Sequence, residues 1–310
     1  MRVLIIGGTR FVGRSLAQML LARGDQVTVA NRGRTPDDLP ESVERLRVDL
    51  GNTGELGQAV AGRTFDAAVD MIAYGKERVR ESLLPLRDKV GQYLQCGSTG
   101  VYAPLKYAPA DEDHPTDPPA NLGGFNKKIE ADREAAQLCE EVGLPLTIVR
   151  PTNITGEGDV PIDIWGARNP KFFQRILDGK VVSIPNDGQA LLQPVHKDDV
   201  AQGLFKGMDN PCGTRIYNCS SDCAVTLDYY VEALGAILGR TPVVEHVPME
   251  ELLRRDAGKV NEAGIRFLCL HMCFRLDKAR AEIGYEPKWT AEEATEQAIE
   301  WMFAKQLISK

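Results

Sequence analysis

The sequence predicts an α/β fold, a doubly wound parallel sheet with helices on both faces, followed by a smaller C-terminal lobe. Three observations predict it. Val3-Leu-Ile-Ile6 is a continuous apolar run that meets Gly7-Gly8 and then Phe11, Leu16, Met19 and Leu20 at helical spacing, which reads as strand, tight turn, helix. Apolar runs and helical patterns then keep alternating as far as about residue 155, the pattern of a parallel sheet covered on both faces. From Gly156 onward the alternation weakens, so residues 1–155 are expected to form the first domain and 156–310 mainly the second lobe, with parts of 190–225 returning to the first.

Taken in order, Gln26–Ala30 alternates into a second strand and Val43–Leu50 contains a third. Asp66–Ala73 is a buried fourth, Lys76–Val90 a helix and Gln92–Cys96 a fifth strand. A long amphipathic helix spans Phe125–Val142, and a sixth strand from Leu144 runs into Arg150-Pro151, where proline stops the ladder. The stretch Pro104–Asn121, rich in proline and acid, is long for a connection and reads as a loop over the site, with His114 a solvated loop residue. A last helix, Ala291–Phe303, closes the chain.

Composition sets limits on function. With 43% hydrophobic and 26% charged residues, the chain has the balance of a globular protein with a sizeable core. No apolar run approaches a membrane span, and the first strand starts too early for a signal peptide, so the expected compartment is the cytosol. The net charge of −7 opposes strong binding to a nucleic-acid backbone, which draws its affinity from Lys and Arg. Seven cysteines in no dense framework agree with reduced thiols. Cys219/Cys223 and Cys269/Cys273 have a spacing that suits one helix face better than zinc, and no metal is expected.

The first turn carries the chemistry. Unpaired amides at a helix start sit at the positive end of its dipole, so Gly7, Thr9, Arg10, Phe11, Val12 and Gly13 are expected to hold the pyrophosphate of a dinucleotide, with Gly13 letting the helix lie close on the sheet. After the second strand stands Asn31-Arg-Gly-Arg34, where a carboxylate would mark NAD. Arg32 and Arg34 are instead two guanidinium groups able to pair with a 2′-phosphate, so NADP is expected and NAD is the alternative, unless both arginines are simply a solvated loop. Ala73 and Tyr74, at the end of the fourth strand, are placed to face the cofactor.

Gly7-Gly-Thr-Arg-Phe-x-Gly13, Ser98-Thr-Gly-Val-Tyr102, Asn126-Lys-Lys-Ile-Glu130 and Arg150-Pro151 together resemble the atypical extended short-chain dehydrogenase/reductases, Rossmann proteins of the NAD-dependent epimerase/dehydratase family similar to bacterial relatives of the chloroplast stem-loop-binding proteins. The resemblance spans nearly the whole chain. It implies that Asp49 contacts the adenine amino group with Leu50 against the ring, that Lys76 lies near the cofactor, and that Pro151 backs the nicotinamide. It places Ser98 at the catalytic serine and Lys128 at the lysine that bonds the nicotinamide ribose. Asn153, Arg168 and His196 fall on the substrate-binding portion, His196 mainly as a structural residue. It also implies a homodimer through the helices Lys76–Val90 and Phe125–Val142.

One position departs from the family. The tyrosine expected four residues before the lysine is Gly124 counted from Lys128, or Gly123 counted from Lys127. Glycine cannot serve as acid or base, and such help is worth about 10²–10⁴ in rate. Tyr102, Tyr107, Tyr74, Ser98 and a water are the replacements, with Tyr102 taken as the catalytic candidate. Two functions therefore stand. One is an NAD(P)-dependent epimerase, dehydratase or reductase acting on a sugar or nucleotide sugar by hydride transfer. The other is a catalytically degenerate dinucleotide sensor or RNA-associated regulatory protein.

Overall fold

Seven strands form one parallel sheet: β1 (Arg2–Ile6), β2 (Gln26–Asn31), β3 (Glu44–Arg47), β4 (Ala67–Asp70), β5 (Tyr93–Cys96), β6 (Leu146–Pro151) and β7 (Thr214–Cys219). The structure is a computed structural model and describes every residue except Gly123. Spatial order runs β7-β6-β5-β4-β1-β2-β3, every neighbouring pair parallel. The chain winds one way from β1 to β3 and the other way from β4, so the order reverses between β1 and β4. Ligands of open α/β sheets bind outside the carboxyl ends of the strands at such a reversal.

The central strands are buried on both faces because helices cover both. Val3 and Ile5 pack with Leu16 and Leu20 of α1 (Phe11–Ala22), whereas Leu4 and Ile6 face a second core containing Val79, Leu83, Ala131 and Ala135. That second layer is built by α2 (Glu55–Ala59), α3 (Gly75–Leu83) and α4 (Phe125–Val142). The helix expected over Lys76–Val90 ends at Leu83, since Pro85 has no amide to donate and the chain passes into turns. α4 has the expected bounds and is closed by Gly143 in the left-handed region.

The smaller lobe packs α5 (Pro170–Leu177) against the helices Leu227–Leu238 and Ala291–Ala304, around Phe172, Phe173, Tyr230 and Met302. A short parallel pair, Val182–Pro185 with Val244–Val247, flanks this core. Between these parts the chain revisits the sheet: α6 (Lys197–Gly207) lies along α1, and β7 extends the sheet beside β6. Among the described residues no helix is long and apolar enough to cross a membrane.

Candidate active site

The β1–α1 turn is shaped for an anion. Gly7 sits at φ +83°, and a Cβ on Gly13 would lie 2.6 Å from the Gly8 Cα, so backbone meets backbone where helix and sheet touch. Arg10 is the N-cap of α1, yet it provides no capping hydrogen bond, and the first helical turn has no acidic residue. The first amides of the helix therefore keep their donors for a ligand. Phe11 opens the helix at φ +47°, a strained value for a bulky residue of the kind that clusters at ligand sites.

Beside the turn lies a cavity of about 530 Å³ that reaches from Gly7 to Tyr74. Arg10, Arg32, Arg34 and Arg78 line it together with one carboxylate, Asp49, and with Leu50. Asn31 organises its rim, donating to Thr9 Oγ1 at 3.1 Å and accepting from the Gly33 amide at 2.7 Å. The Asp49 carboxylate lies 3.6 Å from Arg34. The amides, the close backbone approach and the cationic rim fit a dinucleotide with an extra phosphate. Arg78 was not anticipated; its signal is an arginine one turn after Tyr74 on an emerging helix.

The reaction end forms at the carboxyl ends of β4, β5 and β6. Lys128 lays its ammonium across two strand ends, donating to the Ala73 carbonyl at 2.8 Å and the Cys96 carbonyl at 3.4 Å. Its neighbour Lys127 points away to Glu130, leaving Lys128 alone of the pair on the strand ends. Gly123, the alternative partner in the count from Lys127, lies outside the described residues. Ser98, two residues beyond β5, accepts from the Gly100 amide at 3.2 Å and caps the short turn Thr99–Tyr102. Its hydroxyl proton stays free. Pro151 ends β6 and Asn153 lies just past it, where the Asn153 carbonyl accepts from the Val195 amide.

Other expected residues are committed elsewhere. Tyr102 is only 1% exposed; Arg150 Nη1 donates to its hydroxyl at 2.7 Å, which donates in turn to Asn218 at 3.0 Å. Burial pushes this phenol up to about 12, against the pull of Arg150. Arg150 is itself paired with buried Asp132 at 2.9 Å, so Tyr102 ends a structural network rather than facing the site. Lys76 turns to Glu134 of α4 at 3.3 Å and does not line the cavity, because the buried Glu134 draws both it and Arg80. Arg168 spends its guanidinium on the carbonyls of Val160 and Ile154, bracing the loop after β6. His196 is fully buried, stacks on Trp289, bonds Gln297 and caps α6, and burial lowers its pKa. His114 is buried too, not solvated: its Nε2 accepts from the Lys106 amide and pins the Pro104–Asn121 loop against Tyr102. The seven cysteines are free, Cys219 buried at the end of β7 and Cys223 exposed.

A reversed strand order, an uncapped helix start and a lysine at the strand ends define a doubly wound, dinucleotide-binding α/β protein. The particular family follows from comparison. The chain belongs to the NAD-dependent epimerase/dehydratase family, whose model matches residues 3–220. It is 28% identical over 304 residues to the chloroplast stem-loop binding protein of 41 kDa b of Arabidopsis thaliana, covering 93% of this chain and 75% of that one. It is 23% identical to the dTDP-glucose 4,6-dehydratase of Streptomyces griseus, covering 78% and 81%. A UDP-glucose 4-epimerase from Thermotoga maritima, solved with UDP-glucose, shares the fold with a TM-score of 0.77 at 20% identity, covering 99% of this chain and all of that one.

Proposed function

We propose that this protein is an NADP-dependent oxidoreductase of the epimerase, dehydratase or reductase type, acting on a hydroxyl or carbonyl of a sugar or nucleotide sugar. The observation that carries the reading is Lys128, held across the ends of β4 and β5 beside an arginine-lined cavity. When bound, the dinucleotide takes or returns a hydride, which is the difficult part of the chemistry.

The chain's own residues bind, orient and move protons. The first amides of α1 hold the pyrophosphate. Arg32 and Arg34 pair with a 2′-phosphate, while Asp49 accepts from the adenine amino group and Leu50 packs on the ring. Lys128 uses two of its three donors on Ala73 and Cys96 and keeps one for the ribose. Ser98, whose Oγ already accepts the Gly100 amide, donates its free proton to the substrate oxygen and fixes it for reaction. Asn153, just past β6, contacts the substrate. Relatives named for UDP-glucose and dTDP-glucose chemistry support a nucleotide-sugar substrate.

Calorimetric titration with NADP⁺ and NAD⁺, followed by mixing with UDP-glucose, UDP-glucuronic acid and dTDP-glucose while following reduced cofactor, tests the reading. The expected result is tighter binding of NADP⁺ and cofactor reduction, or product formation, with one of the sugars. Failure of both dinucleotides to bind overturns it. Gly124 favours a second reading, a dinucleotide-binding regulator. Binding of NADP⁺ without turnover of any carbonyl or carbinol substrate would select it.

A further inference from the structure

Position 124 explains its own glycine. Gly124 is the N-cap of α4, four residues before Lys128, with φ +82°. A Cβ built there would stand 2.2 Å from the Tyr74 hydroxyl oxygen and 3.4 Å from its Cζ. The space where a side chain would leave the backbone is filled by the phenol head of another residue. One tyrosine is absent, and another has put its hydroxyl into the gap.

We propose that Tyr74 is the catalytic acid–base residue of this protein, its hydroxyl replacing the tyrosine that the chain lacks at position 124; this rests on the oxidoreductase reading above. Tyr74 follows Ala73, whose carbonyl receives the Lys128 ammonium at 2.8 Å, so Lys128 reaches from α4 to the strand end from which Tyr74 issues. It lines the arginine-rimmed cavity and is half exposed, with its backbone fixed as the extended N-cap of α3. Its hydroxyl has no hydrogen-bond partner among the described residues. Lys127 also approaches from α4, its Cδ 3.6 Å from a Cβ placed on Gly75, but its ammonium is tied to Glu130.

The rival tyrosine hydroxyls are occupied, and Ser98 is assigned to holding the substrate oxygen. Tyr102 is held by Arg150 and Asn218 in the core, and Tyr93 is buried on Asp70 and Ser82. Tyr107 donates to Asp111 out on the loop. In the oxidative direction the substrate O–H proton passes to the Tyr74 phenolate oxygen as the carbinol carbon gives up hydride to the oxidised nicotinamide. The O–H and C–H bonds break, C=O forms, and Tyr74 ends protonated. Lys128, held on the carbonyl of the residue before Tyr74, is the cation at this strand end.

Two readouts test this. Nitration by tetranitromethane reports phenolate character, and the Tyr74 rate is compared between the wild-type and Lys128→Met proteins. In the cofactor-free and the NADP⁺-saturated protein, mass spectrometry is expected to find Tyr74 nitrated several-fold faster in the wild type than in Lys128→Met. With UDP-glucose or dTDP-glucose as probe, Tyr74→Phe is expected to lower kcat by about 10²–10⁴ while KM and dinucleotide affinity stay within a few-fold. Tyr74 nitration that ignores the loss of Lys128, or a Tyr74→Phe protein with wild-type kcat, overturns the assignment. If neither dinucleotide binds, the oxidoreductase reading falls by itself, and nitration of the free protein still decides whether Lys128 activates Tyr74.

Discussion

The two ends of the candidate site are built on opposite plans. At the nucleotide end polar groups are left unpaired: α1 starts without a capping side chain, and four arginines surround a cavity with one carboxylate among them. At the reaction end most polar groups are already satisfied by the protein. Tyr102, Arg150, Asp132 and Gln95 form a buried hydrogen-bonded chain, and Arg168 and His196 are bonded to the protein around them. Among the described residues Lys128, Ser98 and Tyr74 retain a donor to offer. The difference teaches that one end was made by leaving backbone donors and surface cations open, the other by a scaffold that holds three side chains around a gap.

The largest expected effect breaks the open end alone. Gly13→Val puts branched carbon where Cβ already has only 2.6 Å to the Gly8 Cα, so the helix start must move off the sheet. NADP⁺ binding is expected to vanish in calorimetry while circular dichroism still shows a folded protein. Retained affinity in a folded variant would remove the pyrophosphate assignment. Next comes the closed end. Arg150→Ala strands the buried Asp132 carboxylate and the Tyr102 hydroxyl, a change expected to cost about 3–5 kcal/mol of stability in denaturant unfolding. A loss below about 1 kcal/mol would mean that the network is not the scaffold described here.

These contrasts explain what was legible in the sequence. The β1–α1 turn could be read because its function rests on backbone, and backbone demands glycine at fixed places. α4 could be read from its periodicity, whereas Lys128 is marked by the resemblance of Asn126-Lys-Lys-Ile-Glu130 to the family segment. Side chains that act through distant partners could not. Nothing local to Tyr102 announces Arg150, 48 residues on, as its hydroxyl partner. Arg168 looks like a pocket residue until its carbonyl partners are seen. The strand end of Tyr74 and the helix start of Gly124 lie 50 residues apart, so their fit is a product of the fold; each is ordinary in its own segment.

A smaller effect sharpens the open end. Arg32→Ala removes one of two guanidinium groups after β2 and is expected to weaken NADP⁺ binding about tenfold, roughly 1.4 kcal/mol, with NAD⁺ nearly unchanged. Equal losses for both dinucleotides would mean that the arginine serves the common part of the ligand or the loop itself.

The smallest effect concerns how the closed end responds to acid. Asp199, in the first turn of α6, accepts from the Lys288 and Trp289 amides and so holds the segment that stacks on His196. Burial pushes its carboxyl up to about 6 from the usual 3.8, so folding favours the neutral form. Its contribution to stability is full below 3.8 and is lost as pH rises through about 6. His196 runs the other way. Its pKa is lowered from 6.5 by burial, so the unfolded chain takes up its proton first and acidification below 6.5 destabilises the fold. The two slopes oppose each other where they overlap, just below about 6. Asp199→Asn deletes one of them, and thermal unfolding across that window is therefore expected to show stability rising more steeply with pH than in the wild type. An unchanged slope would mean that Asp199 is ionised in the fold at the same pH as in the unfolded chain, and that its two amide bonds fully offset its burial.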